Sequence, residues 1–413
     1  MRRTTAVIIG AGQAGLAMSY WLSRRSIDHV VLERGEVAQS WRSQRWDSLR
    51  LLTPNWQSRL PGLGTQLAKP DGFRSKLDTI QLLTGYAERI QAPVHSHTRV
   101  RSVLASGNGD YRVRTEGQEW HCRSVIVATG ACSRPKVPAM ADQLPAYVHS
   151  LSPLGYRNPN QLGEGGVLVV GASASGVQIA RELRRSGRPV TLAVGGHVRM
   201  PRRYRGRDIQ WWLETSGLLD VRYDEVDDVR RARRVPSAQL VAGDETLDLN
   251  HLQAEGVTLA GRLVDVKDSE VRFSGSLANV CALADLKMKR MLKAIDEWAE
   301  VAGFEAPAPE RYPRTEVPKP VPLEIDLQRA GIETVIWATG YRPDFSYLQL
   351  PVFDRRGELI HDGGVLPVPG VYVLGLPLLR RRRSSLIDGA GEDARELSAH
   401  LASHLTDGTN RVA

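Results

Sequence analysis

The sequence predicts an α/β fold in which one parallel-sheet unit is inserted into another. Buried strand patterns at residues 6–9 and 166–170 each run directly into a glycine-rich or glycine-serine turn and then a helix. A strand followed by Ala-Thr-Gly also occurs twice, at residues 124–130 and 334–340, in a chain of 413 residues that is long enough for two or three domains. Strands that alternate with helices in this way are typical of a parallel sheet covered on both faces.

The first unit begins with the pattern G-x-G-x-x-G at Gly10, Gly12 and Gly15. The first glycine permits a tight turn, the second lets the backbone approach a diphosphate, and the third lets helix and strand pack closely. A second strand at residues 29–32 ends in Glu33, where a carboxylate can accept hydrogen bonds from ribose hydroxyls. These features, all in register, predict a Rossmann-like dinucleotide site, and its place at the N-terminus suits FAD.

The same turn recurs in the second unit as G-x-S-x-S-G, with Gly171, Ser173, Ser175 and Gly176. Serine is nearly as small as glycine, and its hydroxyl can bond a phosphate directly. A helix over residues 177–185 and a strand over residues 190–194 complete the βαβ pattern. We therefore expect a second dinucleotide site.

The second site lacks the carboxylate that ends the matching strand of the first site. Gly-Gly-His follows that strand, and Arg199, Arg202 and Arg203 come shortly afterwards. A 2′-phosphate would be repelled by a carboxylate and attracted by arginine. We expect NADP(H) rather than NAD(H), and which arginine binds the phosphate is open. Two such sites in one chain indicate electron transfer from a nicotinamide to a flavin.

The order of these patterns predicts a split first domain. We assign residues 1–155 to the N-terminal part of the FAD domain, 156–330 to the inserted NADP domain, and 331–413 to the C-terminal part of the FAD domain. Within the insert, residues 287–302 read as a helix, 232–248 as a loop, and the proline-rich stretch 306–322 as an extended connector. A strand at residues 370–375 and a helix at residues 392–405 close the chain.

Composition and charge exclude several other classes. The formal net charge of +9 comes from scattered arginines, which we interpret as a solvated surface rather than a nucleic-acid site. No apolar run reaches the roughly 20 residues that span a bilayer, and no His, Cys or Glu cluster has zinc spacing. Three cysteines cannot build a disulfide framework. We expect a soluble, cytoplasmic protein. The sequence is compatible with a homodimer but does not require one.

The two turns, together with the phrase Ala338-Thr339-Gly340-Tyr341, resemble the class B flavoprotein monooxygenases. This group includes flavin-containing, Baeyer–Villiger and indole-3-pyruvate monooxygenases, and the resemblance extends from residue 6 to about residue 405. It implies bound FAD, NADPH as reductant, and a C4a-(hydro)peroxyflavin that puts one atom of O2 on a small organic substrate. N- or S-oxygenation, Baeyer–Villiger oxidation and oxidative decarboxylation all stay open.

Local matches support the resemblance, and one departure leaves the subfamily open. Residues 41–51 are similar to the family's segment that wraps the flavin, and Asn55 corresponds to its flavin-side asparagine, whose amide would bond near flavin N5. A plain turn role is the alternative for this residue. In the family fingerprint F-x-G-x-x-x-H-x-x-x-[FY], His149 is in place. Gln143, Pro145 and Pro153 stand where the fingerprint has phenylalanine, glycine and the final aromatic residue.

Other flavoprotein classes share the predicted fold. Thioredoxin and glutathione reductases need a proximal pair of redox cysteines, whereas Cys122 and Cys132 are ten residues apart with no C-x-x-C. Thiol exchange is therefore excluded, and dioxygen becomes the favoured acceptor. An NADPH oxidase or quinone reductase, and a non-catalytic flavin-binding sensor, are the alternatives.

The resulting site prediction has one catalytic residue, Asn55, and no metal ligand. The predicted cofactor-binding residues are Gly10, Gly12, Gln13, Ala14, Gly15, Glu33, Arg34, Trp41, Arg42, Trp46, Leu51, Ala128, Thr129, Gly130, Gly171, Ser173, Ser175, Gly176, Arg199, Arg202, Arg203, Ala338, Thr339, Gly340 and Tyr341.

Overall fold

The computed structural model describes residues 2–64, 69–107 and 109–410, with side chains as far as residue 406. Its first sheet has five parallel strands. Their order across the sheet is Val371–Val373, Ser124–Val127, Ala6–Ile9, His29–Leu32 and Val94–His95. All four residues of each of the three central strands are buried. This explains their continuous apolar runs, because a parallel sheet is covered on both faces.

A second sheet of five parallel strands repeats this architecture. Its order is His149–Leu151, Ile332–Trp337, Gly166–Val170, Val190–Ala193 and Thr258–Ala260. The first two of these strands lie outside the predicted bounds of the insert, 156 and 330, so the second unit is wider than we expected. The strand-Ala-Thr-Gly phrases at residues 124–130 and 334–340 mark equivalent positions in the two sheets, since each of these strands lies beside the strand that carries the glycine turn of its own sheet.

The two units are joined where each Ala-Thr-Gly phrase ends. Arg134–Pro135 pairs antiparallel with Tyr341–Arg342, so the outgoing and returning chain segments form a short ribbon. The backbone N–H of Lys136 donates to the carbonyl of Gly340 at 2.9 Å, and the Thr339 hydroxyl donates to the carbonyl of Lys136. These phrases therefore mark the points where the chain passes between the two units.

Helices cover the sheets, and all of the predicted ones are present. The α-helices are Gln13–Arg24, Gln39–Ser43, Lys76–Arg89, Ala174–Arg185, Ile209–Thr215, Val229–Arg233, Leu249–Ala254, Leu277–Val301 and Gly389–Asn410. The helix predicted over residues 287–302 begins ten residues earlier, at Leu277. Small residues and a buried aspartate, Asp285, interrupt the apolar stripe of its first three turns, so the sequence signal there is weak.

Smaller sheets extend both units. Arg2–Arg3, Glu119–Cys122, Tyr111–Thr115 and Val100–Ala105 form a four-stranded sheet. Leu263–Lys267, Glu270–Phe273 and Glu324–Asp326 form a three-stranded sheet, and Arg203–Tyr204 pairs with Arg207–Asp208.

The least regular parts of the insert fit the sequence prediction only in part. Residues 306–322 contain neither helix nor strand, as their prolines predicted. The predicted loop at residues 232–248 includes a short strand, Ala238–Gln239, which pairs with Val198–Arg199. None of the helices described in the structure is long and apolar enough to cross a membrane.

Candidate nucleotide-binding and active site

The first glycine turn is required by close backbone approaches. Gly10 has a φ of +108°, and a Cβ there would lie 2.7 Å from the carbonyl oxygen of Ala128. A Cβ at Gly15 would lie only 1.9 Å from the carbonyl oxygen of Gly10. A Cβ at Gly12, in contrast, would meet no atom within 4 Å. Gly10 and Gly15 therefore allow strand, turn and helix to pack, while Gly12 leaves space at the mouth of the turn that a diphosphate can enter.

The second turn has the same construction. Gly171 has a φ of +112°, and a Cβ there would lie 2.4 Å from the carbonyl oxygen of Ala338. A Cβ at Gly176 would lie 1.8 Å from the carbonyl oxygen of Gly171. Ser173 occupies the position equivalent to Gly12, immediately before the helix. The departure from the glycine pattern thus falls at the one position of the three where a side chain has room.

Both turns lead into helices whose first N–H groups are not capped by a side chain. Gly12 and Ser173 are the N-cap residues of Gln13–Arg24 and Ala174–Arg185, and neither makes a side-chain cap. Ser75, in contrast, closes the N-terminus of Lys76–Arg89 with a capping box. Unpaired N–H groups and the positive end of the helix dipole make an anion-binding site. Each turn therefore fits a diphosphate.

Glu33 lies at the carboxyl end of the second strand of the first sheet and is buried. One carboxylate oxygen accepts the backbone N–H of Ala11 at 2.8 Å, and the other accepts that of Gly35 at 3.1 Å. These bonds hold the carboxylate against the turn. Because a carboxylate has about four acceptor positions, it can still accept ribose hydroxyls, as the sequence predicts.

The first turn opens into a cleft of about 540 Å³. The predicted residues that line the cleft are Gly10, Gly12, Gln13, Ala14, Glu33, Arg34, Trp41, Ala128, Thr129 and Gly130. Sequence reasoning missed other lining residues, which come from six separate chain segments: Arg45, Thr98, Arg99, Arg101, Cys132, Arg134, Asp344, Ser346, Tyr347, Gly375 and Ser385. The end of the strand at residues 370–375 was the available signal for Gly375, since the neighbouring strands of this sheet also end at the cleft.

Some predicted residues lie outside the lining of this cleft. Trp46 is buried in the core of the second unit, Leu51 is half-buried beside the Lys76–Arg89 helix, and Arg42 donates to the carbonyl of Val37 at 3.0 Å. The Asn55 amide nitrogen donates to the carbonyl of Lys69 at 2.8 Å, while its amide oxygen is buried without a partner. The catalytic role of Asn55 stays a prediction.

The second turn is tied to the late Ala-Thr-Gly-Tyr phrase through two hydroxyl groups. The oxygen atoms of Ser175 and Tyr341 lie 3.2 Å apart. Burial raises the pKa of Tyr341, so its hydroxyl keeps its proton at neutral pH. The structure thus brings together two predicted segments of the second site, residues 171–176 and 338–341, at the carboxyl ends of adjacent strands.

The three arginines predicted to bind a 2′-phosphate have different surroundings. Arg199 is 4% exposed and pairs with Asp248 at 2.6 Å and Asp285 at 2.7 Å. Arg202 is fully buried, pairs with Asp208 at 2.5 Å, and stacks on the ring of Phe73. Because their donors already face carboxylates inside the protein, Arg199 and Arg202 do not fit the predicted role of binding the 2′-phosphate.

Arg203 is the exposed member of the three. Its side chain is 49% exposed and pairs with Asp244 at 2.8 Å. An exposed pair of this kind contributes little to stability and can be exchanged for another anion. Its phosphate role stays a prediction.

The described cysteines are not arranged for thiol exchange. All three are free; Cys122 and Cys281 are buried, whereas Cys132 is partly exposed and lines the cleft. Burial raises the pKa of Cys122 to about 12 and that of Cys281 to about 11. Thiols with such pKa values are poor nucleophiles at neutral pH. Among the described residues, no group of three or more His, Cys, Asp or Glu side chains could hold a metal ion.

The fold and its paired turns define a class, the oxidoreductases with two dinucleotide-binding units. The chain belongs to the pyridine nucleotide-disulphide oxidoreductase family, which matches residues 7–216. It is 33% identical over 401 residues to an uncharacterized CzcO-like oxidoreductase of Geobacillus kaustophilus (strain HTA426), covering 96% of this chain and 98% of that protein. It is also 32% identical over 208 residues to the probable indole-3-pyruvate monooxygenase YUCCA1 of Arabidopsis thaliana. That match covers 48% of this chain and 49% of the plant protein.

Solved structures share the fold. A flavin-containing monooxygenase from Stenotrophomonas maltophilia superposes with a TM-score of 0.69 at 20% identity, covering 98% of this chain and all of the other. Bacillithiol disulfide reductase from Bacillus cereus superposes with a TM-score of 0.61 at 15% identity, covering 97% of this chain and 99% of the other. The predicted fold class and the resemblance to flavoprotein monooxygenases are confirmed, and the predicted pair of cofactors, FAD and NADP(H), is confirmed at the level of the family.

Proposed function

We propose that this protein is an FAD-dependent monooxygenase that consumes NADPH and puts one oxygen atom of O2 on a small organic substrate. The observation that carries the proposal is the pair of equivalent, uncapped turns on two sheets, combined with cysteines that are single or deeply buried. Disulfide reductases share the fold, so the fold alone does not choose between the two chemistries. The cysteine arrangement disfavours a disulfide acceptor, which supports dioxygen as the acceptor.

The chain's own residues have separate tasks in this function. The backbone around Gly12 would hold the FAD diphosphate, and Glu33 would accept the ribose hydroxyls. Ser173 and the N-terminus of its helix would hold the NADPH diphosphate. The chemistry that the bound cofactors supply is hydride transfer and dioxygen activation. Burial raises the pKa of Tyr347, which lines the cleft beside Thr129, so this hydroxyl keeps its proton and can donate a hydrogen bond.

Two measurements test the proposal. Purified protein should release FAD on denaturation and should oxidise NADPH. In stopped-flow oxygenation of the reduced protein, we expect a flavin spectrum that differs from both the oxidised and the reduced forms and lasts for seconds. Immediate return of the oxidised spectrum with stoichiometric hydrogen peroxide would instead favour an NADPH oxidase, and absence of NADPH turnover with any acceptor would favour a flavin-binding sensor.

The substrate class is to be found by screening. Amines and sulfides test N- and S-oxygenation, ketones test Baeyer–Villiger oxidation, and α-keto acids test oxidative decarboxylation. A substrate should increase NADPH consumption while it lowers the fraction released as hydrogen peroxide. Coupled consumption of this kind separates a true substrate from an effector that only accelerates reduction.

A further inference from the structure

An arginine outside the predicted set lies at the carboxyl edge of the second sheet. Strand Thr258–Ala260 runs parallel to Val190–Ala193, with Ala193 opposite Ala260. The backbone N–H of Val194 donates to the carbonyl of Ala260 at 3.0 Å, so the two strands end at the same edge. Gly195 follows one strand and Arg262 follows the other.

The backbone of Arg262 is held in place by the hairpin that follows it. Its carbonyl accepts the N–H of Ser274 at 2.8 Å. A Cβ at the preceding residue, Gly261, would lie 1.9 Å from the carbonyl oxygen of Ser274, so the close approach requires glycine. Across the sheet edge, Cγ of Arg262 is the nearest atom to the position of a Cβ on Gly195, at 3.9 Å. The arginine side chain therefore lies over Gly195.

The guanidinium of Arg262 is available to an anion. The residue is exposed, and within the described part of the chain it makes no ion pair and no side-chain hydrogen bond, whereas Arg199, Arg202 and Arg203 each pair with an aspartate. A Cβ at Gly196 would meet nothing within 4 Å, so this edge of the sheet has open space next to Gly195. Binding a phosphate here breaks no existing ion pair.

The position matches where the adenosine ribose of a bound nucleotide must lie. In a βαβ unit, the diphosphate lies on the glycine turn and the ribose lies at the end of the next strand, which here is Val194–Gly195. We infer that Arg262 binds the 2′-phosphate of NADPH and sets the preference for NADPH over NADH. This inference rests on the proposed use of the second turn as a nucleotide site.

The test compares nucleotides that differ only in the 2′-phosphate. Isothermal titration of the FAD-loaded protein with 2′,5′-ADP and with 5′-AMP should show that Arg262→Ala weakens 2′,5′-ADP roughly ten- to hundredfold, as expected for hydrogen bonds to a charged group. Binding of 5′-AMP should change less than about threefold. Arg262→Lys should keep part of the affinity. Arg272→Ala is the matched control, because Arg272 is an exposed arginine of the following hairpin, paired with Glu270, and it should change neither affinity.

The possible outcomes distinguish a failure of the Arg262 role from a failure of the second nucleotide site. Equal losses for both nucleotides in Arg262→Ala, or no loss at all, overturn the role of Arg262 while the nucleotide site stands. A wild-type protein that retains FAD but binds neither nucleotide overturns the use of the second turn, and the proposed function with it. Far-UV circular dichroism and FAD content confirm that each variant is folded. In steady state, the ratio of KM for NADPH to KM for NADH should rise by the same factor as the loss of 2′,5′-ADP affinity.

Discussion

Substitutions at Gly15 and Gly12 can separate the packing role of the first turn from its binding role. A Cβ at residue 15 would lie 1.9 Å from the carbonyl oxygen of Gly10, whereas carbon–oxygen contacts normally need about 3.3 Å. The helix would have to move away from the strand by more than about 1 Å. Overpacking costs about 1–3 kcal/mol, and the greater helix propensity of alanine offsets about 1 kcal/mol. Because the clash is with backbone, we expect Gly15→Ala to lower the free energy of unfolding by about 2 kcal/mol.

Gly12→Ala should behave differently. No atom lies within 4 Å of a Cβ at residue 12, and φ −89°, ψ −173° is extended backbone that any residue adopts. The free energy of unfolding of the apoprotein should therefore change by less than about 0.5 kcal/mol. The methyl group would occupy the space that a diphosphate needs, so we expect the Kd for FAD to rise at least about tenfold.

Urea denaturation of the apoproteins and fluorescence titration with FAD measure the two effects. Two results would contradict these predictions: a Gly12→Ala protein that binds FAD as tightly as the wild type, or an equal loss in the free energy of unfolding for both variants. Stability unchanged in Gly15→Ala would mean that helix and strand can separate without cost.

Three further predictions concern individual charged groups. Glu33→Gln should weaken FAD binding about tenfold in the same titration, since a neutral amide replaces the carboxylate that faces the ribose; unchanged affinity would remove the ribose role. Asp248→Ala should lower the free energy of unfolding by about 3 kcal/mol in urea, because it leaves the buried Arg199 under-compensated; a loss below about 1 kcal/mol would contradict this. Burial beside Arg233 lowers the pKa of His361 to about 4. Between pH 4 and pH 6.5 this histidine therefore binds more protons in the unfolded state than in the folded state. Its contribution makes the free energy of unfolding rise with pH across that window, by about 1–3 kcal/mol. In His361→Gln, that part of the rise should disappear from stability curves measured at several pH values; a parallel curve would refute it.

The limits of sequence reasoning are clearest in the second unit. Arg199 was visible as a cation near the nucleotide turn, but its carboxylate partners are 49 and 86 residues further along the chain. No local pattern shows that these three side chains meet in the interior. Arg262, in contrast, stands in a segment without a motif, and only the register between two strands places it over Gly195.

The domain boundaries show the same limit. Strand His149–Leu151 has an exposed, polar pattern, so its sequence does not indicate to which sheet it belongs. Its pairing with Ile332–Trp337 decides this. The Ala-Thr-Gly phrase at residues 338–340 could be recognised from the sequence, but its meaning as an equivalent position in a second sheet required the strand order.

The sequence by itself determined the two turns, their helices and the central strands, because each leaves a pattern in a short stretch of chain: closely spaced small residues in the turns, apolar runs for buried strands, and an acid at the end of the second strand. The tertiary structure alone decided which arginines are neutralised, which segments line the cleft, and where the inserted unit begins and ends. Charge pairing and strand pairing join residues far apart in the chain, and their energies depend on burial and distance, neither of which a linear pattern contains.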